Sequence, residues 1–309
     1  MKRHFIRGVI GLLCVGVSAQ QEQLYSHYDL NSSLFNPAYS GSSGVMNIVA
    51  ISRRQWTDFN GAPDYAGITY DQPLNSQFAL GLNLSQGTIG DFKYAKPLRE
   101  NHISANASYR IQISPKLNLG VGLRLGLYSY NLDLNQLVIK DPSDLGFAQN
   151  SYNVSAPMTG FGTYLYSQKF FVGLSSPQLI FFNNENDEKY TYNSKLHYYV
   201  TAGYMYEIND LFSLKTTTQL RFTSGVPFQA DFNAHFYYLN KFSVGPFIRS
   251  SGDYGILTNI QVLEDFGIFS SWETKTGKLN EYIRQSFEIG IRYRPNTFTQ
   301  PEEVLPRYF

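Results

Sequence analysis

Long, clean alternation of apolar and polar residues constrains this chain more than anything else in it. Over residues 116–128, Leu117, Leu119, Val121, Leu123, Leu125 and Leu127 share one parity, while Lys116, Asn118, Gly120, Gly122, Arg124 and Gly126 share the other. Residues 103–113 set Ile103, Ala105, Ala107, Tyr109, Ile111 and Ile113 against Ser104, Asn106, Ser108, Arg110 and Gln112. Phe228, Ala230, Phe232, Ala234 and Phe236 stand against Gln229, Asp231, Asn233 and His235, and residues 283–294 repeat the pattern around Phe287, Ile289 and Ile291. Successive side chains of a strand point to opposite faces, so each run is a strand with one apolar and one polar face. Length separates the two folds that alternate in this way. Strands of soluble sheets usually run about 5–6 residues, whereas a tilted strand crossing a bilayer needs about 9–11. Most runs here meet the longer figure. Lipid offers no partner to a backbone amide, so a sheet in lipid must close on itself. The fold expected is all-β: a transmembrane, antiparallel outer-membrane β-barrel.

Composition agrees with an exported barrel. Residues 1–19 read as a signal peptide, with Lys2, Arg3 and Arg7 ahead of an apolar core and Val17, Ser18 and Ala19 as a small-residue cleavage site before Gln20. A lipoprotein reading through Cys14 fits less well, because Leu13 stands where a small residue is wanted. Cys14 is the only cysteine, so the mature chain has neither a disulfide framework nor a thiolate metal site. The formal charge of +1 falls to −2 once Lys2, Arg3 and Arg7 leave, which does not describe a nucleic-acid binder. Beyond the signal no apolar run approaches the roughly 18 residues of a spanning helix. Yet 24 tyrosines and 23 phenylalanines are many for a chain that must keep its whole outer surface wet.

The runs number about fourteen, the first beginning near Val45 and the last near Tyr282, and residues 45–294 make the barrel. Connections alternate in length. Short ones fall at Ser114 and Pro115, at Asn209 and Asp210, and at Leu239 and Asn240; the longest are residues 131–157 and 177–195. Outer-membrane barrels have short periplasmic turns and longer outside loops. That rule places the long connections outside and both chain ends in the periplasm. Residues 20–44 precede the first strand and either plug the barrel or lie under its periplasmic mouth. Residues 295–309 carry Pro295, Pro301 and Pro306, which bar a continued ladder, so they form a periplasmic tail.

Signs of catalysis are poor. His27, His102, His197 and His235 are scattered without metal-ligand spacing, and no phosphate loop or nucleophile elbow occurs. No cofactor is expected, and the reading is of a protein that is not an enzyme. Gly120 and Gly122 sit inside a strand, where they thin the lumen wall rather than cradle phosphate. Arg110, Arg124, Lys215, Arg221, Arg284, Arg292 and Arg294 share the polar faces with Glu207, Asp231, Glu273 and Glu288. Mixed signs point to a salt-bridged, wetted interior. A pore stays open as a reading, since fourteen strands exceed the eight that side chains can fill. Arg53, Arg54, Gln55 and Trp56 close the first strand. They are either a strand end with a Trp in the interfacial belt, or a recognition edge facing Gly61, Ala62 and Pro63.

Several stretches, taken in order, resemble the PorP/SprF family of the type IX secretion system of Bacteroidetes. They include residues 23–28, the Asn36, Pro37, Ala38, Tyr39, Ser40, Gly41 turn, the Arg54, Gln55, Trp56 strand end, and Gly61, Ala62 and Pro63. Gly81, Leu82 and Asn83, then Asp141 and Pro142, Thr201 to Tyr204, and the Pro306, Arg307, Tyr308, Phe309 end follow. His27 stands where Gln is common in the family. The resemblance implies an outer-membrane barrel that helps deliver or retain cargo carrying a C-terminal sorting domain, linked to adhesins and gliding, with periplasmic ring or lipoprotein components as further partners. Asn36, Pro37, Ala38 and Gly41 would then be structural motif residues. Cargo is expected to meet the outer loops through Arg53, Arg54, Trp56, Phe59, Asn60, Gly61 and Pro63. Arg307, Tyr308 and Phe309 are expected to meet periplasmic partners, or else Phe309 is a terminal signal for barrel insertion. A passive or substrate-specific porin is the alternative function.

Overall fold

The structure, a computed structural model, describes residues 23–90, 97–136, 151–180, 196–276 and 285–295. Fourteen strands close into one antiparallel barrel in which each strand pairs with its sequence neighbours and the first pairs with the last. They are β1 Asn47–Arg54, β2 Asp64–Pro73, β3 Phe78–Ile89, β4 Leu98–Ser114, β5 Leu117–Asp133, β6 Ser151–Tyr166 and β7 Phe170–Ile180. The second half comprises β8 His197–Glu207, β9 Phe212–Thr223, β10 Gln229–Tyr238, β11 Phe242–Arg249, β12 Asp253–Gln261, β13 Phe266–Lys275 and β14 Gln285–Tyr293. Closure leaves no edge, so every strand finds its backbone partners within the sheet.

The alternation falls as expected. Leu123, Leu125, Leu127, Phe232, Phe236, Ile248, Ile256 and Ile289 point out and form an exposed apolar band, while Asn106, Arg124, Asp231, Asn233 and Glu288 point in and are buried. Two of the expected connections are shorter than the hydrophobic pattern suggests. Residues 131–133 and 151–157 are strand, with Asn131 opposite Asn153 and Leu127 opposite Pro157. The sixth strand therefore begins at Ser151, inside the connection expected over residues 131–157. The apolar–polar alternation reports only the part of a strand that faces lipid, and the ladder of β5 and β6 continues past it through polar residues. Residues 177–180 likewise belong to β7, and Pro177 fits there because the β6–β7 register shifts opposite Gly160. Leu134–Gln136 form a 3₁₀ turn after β5. Residues 137–150 and 181–195 lie outside the described residues, as do residues 1–22 and 296–309.

Residues 23–46 run inside the barrel. They contain one short helix, α1 (Ser32–Phe35), and a single 3₁₀ turn, Pro37–Tyr39. Tyr25, Tyr28, Leu30 and Phe35 pack with Val49, Ile51, Tyr65, Tyr199 and Phe269 in an aromatic core at the centre of the lumen. The path corrects one expectation. Gln23 lies beside Tyr65 and Gly87, near the mouth where the long connections gather, whereas Gly41 meets Asp71 and Pro73 near the opposite mouth, where β1 begins. The segment therefore starts at the other end of the barrel from the last residue of β14. Strand parity fixes where β1 starts and β14 stops; it says nothing about a segment that threads the lumen.

The wall is shaped to receive that segment. A Cβ on Gly122 would stand 2.2 Å from the Ala38 nitrogen, one on Gly162 2.1 Å from Asn36 Oδ1, and one on Gly81 2.6 Å from Ser40 Oγ. Strand glycines thus form a groove for residues 36–40. Gly122→Ala should displace the 3₁₀ turn or push the wall outward and lower the temperature at which the barrel unfolds on gels, by an overpacking cost of about 1–3 kcal/mol. Gly67→Ala is the control. Its nearest neighbour would be Tyr25 Oη at 3.4 Å, an ordinary contact, and its effect should be the smaller of the two.

Candidate functional site

A chain segment buried inside a barrel must find partners for its backbone, because few of its groups can pair with one another. Here the wall side chains supply them. Ser175 Oγ donates to the Phe35 carbonyl at 2.7 Å, Ser108 Oγ to that of Ser40 at 2.6 Å, and Arg110 Nη2 to that of Gly41 at 2.7 Å. The Arg124 guanidinium reaches the carbonyls of Ser33 and Leu34 and also Asn106 Oδ1. Asn36 does two jobs. Its Oδ1 accepts from the Ala38 amide at 2.9 Å, capping the 3₁₀ turn that Pro37 opens, and its Nδ2 donates to the Thr163 carbonyl at 2.9 Å. Gly41 adopts φ +74, and its amide donates to Asp71 Oδ1 at 2.8 Å. These contacts give Asn36, Pro37, Ala38 and Gly41 a place: they seat the lumen segment against β2, β4, β5, β6 and β7.

Charge ties the upstream part of the segment to the other side of the wall. Asp29 Oδ2 pairs with Lys215 Nζ at 2.9 Å, both fully buried, with His235 Nε2 at 3.8 Å. The amides of Ser26 and His27 donate to the two Glu288 carboxylate oxygens at 2.9 Å each, and His27 Nδ1 stands 2.9 Å from one of them. Arg53 completes the cluster. It pairs with Glu273, lies 3.5 Å from Glu288 and donates to Ser26 Oγ. Arg249 lies 3.6 Å from Glu273 and binds Asp231, which also takes Arg221.

This placement corrects the expected set of partner contacts. Arg53 has odd parity in β1, which turns it inward to full burial among carboxylates, so it cannot meet a partner outside. Pro63 is buried too, its carbonyl accepting from the Gln55 amide. Arg54, one residue on from Arg53, points out and pairs with Asp64 at 3.0 Å. Trp56, Phe59, Asn60 and Gly61 stand at the rim of the long-connection mouth, with Phe59 52% exposed. Trp56 holds a left-handed φ of 53°, with its amide on Ser286 Oγ. A bulky residue there costs about 1–2 kcal/mol. Arg307, Tyr308 and Phe309 lie outside the described residues. Sequence reasoning missed Ser26, His27 and Asp29 as the segment's anchors. Their signal was the polar residues set among tyrosines before the first strand.

Above the segment, a cavity of about 260 Å³ opens towards the same mouth, lined by Tyr25, Phe35, Glu100, His102, Tyr130 and Tyr199 among others. Among the described residues no group of His, Cys, Asp or Glu has the geometry of a metal site.

The model of the type IX secretion system membrane protein PorP/SprF family matches residues 17–293. The chain belongs to the PorP/SprF family. It is an outer-membrane β-barrel, with the apolar band described above as its lipid face. Among solved structures, PorP/SprF folding of this chain is similar to the Acinetobacter baumannii outer membrane protein Omp33, at 9% identity over 81% of this chain and 98% of that one, with a TM-score of 0.48. It is also similar to the P. putida toluene transporter TodX, at 11% identity over 86% and 94%, with a TM-score of 0.47. No curated protein matches the chain by sequence.

Proposed function

We propose that this PorP/SprF barrel serves type IX secretion as a docking component, not as a pore. Its long-connection mouth faces the cell exterior and receives cargo through the C-terminal sorting domain. The observation that carries this reading is the filled lumen. Residues 23–46 occupy it, Asn233 Nδ2 donates to the Ser26 carbonyl at 2.8 Å, and the wall groups Gln219 and Ser243 are buried as well. With the lipid face spent on lipid and the lumen spent on the chain itself, recognition is left to the rims. At the outer rim stand Arg54, Trp56, Phe59, Asn60 and Gly61, and aromatic and Arg residues are frequent anchors of interfaces. At the periplasmic rim the tail with Arg307, Tyr308 and Phe309 meets ring or lipoprotein components of the system.

The test is capture of a purified sorting domain, taken from a cargo protein of the same secretion system, by the barrel in detergent. Trp56→Gly combined with Phe59→Ser should abolish capture. The glycine relieves the left-handed strain, so the folded barrel should hold its stability to within about 1 kcal/mol. Full capture by the double variant would remove this rim from the interface. Failure of the native barrel to bind any sorting domain would sink the docking reading.

A further inference from the structure

The cavity at the long-connection mouth has a chemistry of its own. Its floor is the lumen segment, through Tyr25, Leu34 and Phe35, and its walls come from β3 to β8. Arg124, the cation beneath it, is spent on the Ser33 and Leu34 carbonyls and on Asn106. His102 Nδ1 is bound to Gln178 Nε2 at 2.7 Å, and His197 Nδ1 to Thr223 Oγ1 at 2.8 Å. Glu100 is different. Its carboxylate lines the cavity, and among the described residues its one hydrogen bond comes from a neutral group, the Tyr128 hydroxyl at 3.2 Å. Among the described residues it forms no ion pair. A partly enclosed carboxylate with no cation beside it is costly to hold. Here it is combined with the rings of Tyr25, Tyr130 and Tyr199.

We infer that this cavity is a receptor for one cationic side chain, an arginine or lysine presented by a protein partner at the long-connection mouth. The carboxylate would take the charge, and the half-buried Tyr130 ring would take the aliphatic stem or the guanidinium plane, over a floor that Tyr25 and Tyr199 support from below. The volume suits one long side chain and excludes a folded domain. Among the described residues that line the cavity, an anion would find Glu100 and no uncommitted cation. The inference deepens the docking reading by naming what the mouth accepts, and it is tested without any cargo.

The probes are N-acetyl-arginine amide, N-acetyl-lysine amide and the neutral isostere N-acetyl-citrulline amide. Binding to the purified full-length barrel in a non-ionic detergent is read by saturation-transfer NMR. The arginine and lysine probes should bind and compete with each other, and citrulline should bind at least about tenfold more weakly. Glu100→Gln should weaken arginine binding by about ten- to hundredfold, the loss expected of one charge-assisted bond, while Glu100→Asp should retain part of it. Folding of each variant is checked by its heat-dependent gel mobility. If Glu100→Gln does not fold, the arginine-to-citrulline ratio on the native protein decides alone. Equal binding of citrulline, no binding of either cation, or unchanged affinity in a folded Glu100→Gln barrel would each overturn the inference. None of these results bears on capture of a sorting domain, so the two readings fail separately.

Discussion

Removing residues 23–44 should turn a barrel that passes no current into one with steady conductance steps in a planar bilayer. Fourteen strands enclose more space than side chains alone can fill. Without the segment, the groups that now seat it, Arg110, Arg124, Ser108, Ser175 and Lys215, would line a wet path from mouth to mouth. Their hydrogen bonds would pass to water, so the truncated barrel loses stability but keeps its outer ladder. Should the truncated chain not fold, a protease site placed after Gly44 lets the whole barrel form first; no atom lies within 4 Å of where a Cβ would stand there. Cleavage and mild denaturant then release the segment before current is measured. A silent recording from a folded, emptied barrel would show that something else seals it. Steps from the native protein would favour the porin alternative over docking.

Arg53→Ala should be among the most damaging single substitutions in the molecule. It leaves Glu273 and Glu288 buried, the second with no other guanidinium in contact among the described pairs. Breaking a buried pair by removing one partner costs about 3–5 kcal/mol. The lower part of that range is expected, because Arg249 stays 3.6 Å from Glu273 and the Ser26 and His27 amides still hold Glu288. Equilibrium unfolding in urea, followed by gel mobility, measures it. Arg53→Met together with Glu273→Gln and Glu288→Gln should recover most of the loss, since charges removed together leave nothing uncompensated. A cost below about 1 kcal/mol for Arg53→Ala would mean that the cluster is as weak as a surface pair.

How legible all this was depends on which surface a residue faces. Residues facing lipid must be apolar, so β3, β4, β5, β10 and β14 announce themselves by alternation. The ends of β5 and β6 face water on the outside, which removes the apolar half of the signal. β1 failed differently. Val49 and Ile51 point inward yet are apolar, because they pack on Tyr25 and Phe35, so its two faces look alike and Arg53 could be assigned to either. The site was less legible than the fold. That Asn36, Pro37 and Ala38 form a turn follows from the residues themselves, but that Gly122 and Gly162 make room for that turn is a pairing between distant positions which no local pattern carries.

Arg53 and Glu288 face each other across the pair formed by β1 and β14, the one seam joining the two ends of the barrel sequence. Ser26 and His27 bind on the lumen side of that seam, and Glu273 reaches it from β13. The seam and the lumen segment therefore share one cluster of buried groups. Without the segment the seam keeps the Arg53 pairs with Glu273 and Glu288 but loses the two amides and the imidazole that also hold Glu288. Closing the sheet and filling it draw on the same carboxylate, so the seam and the lumen segment each help to hold the other in place.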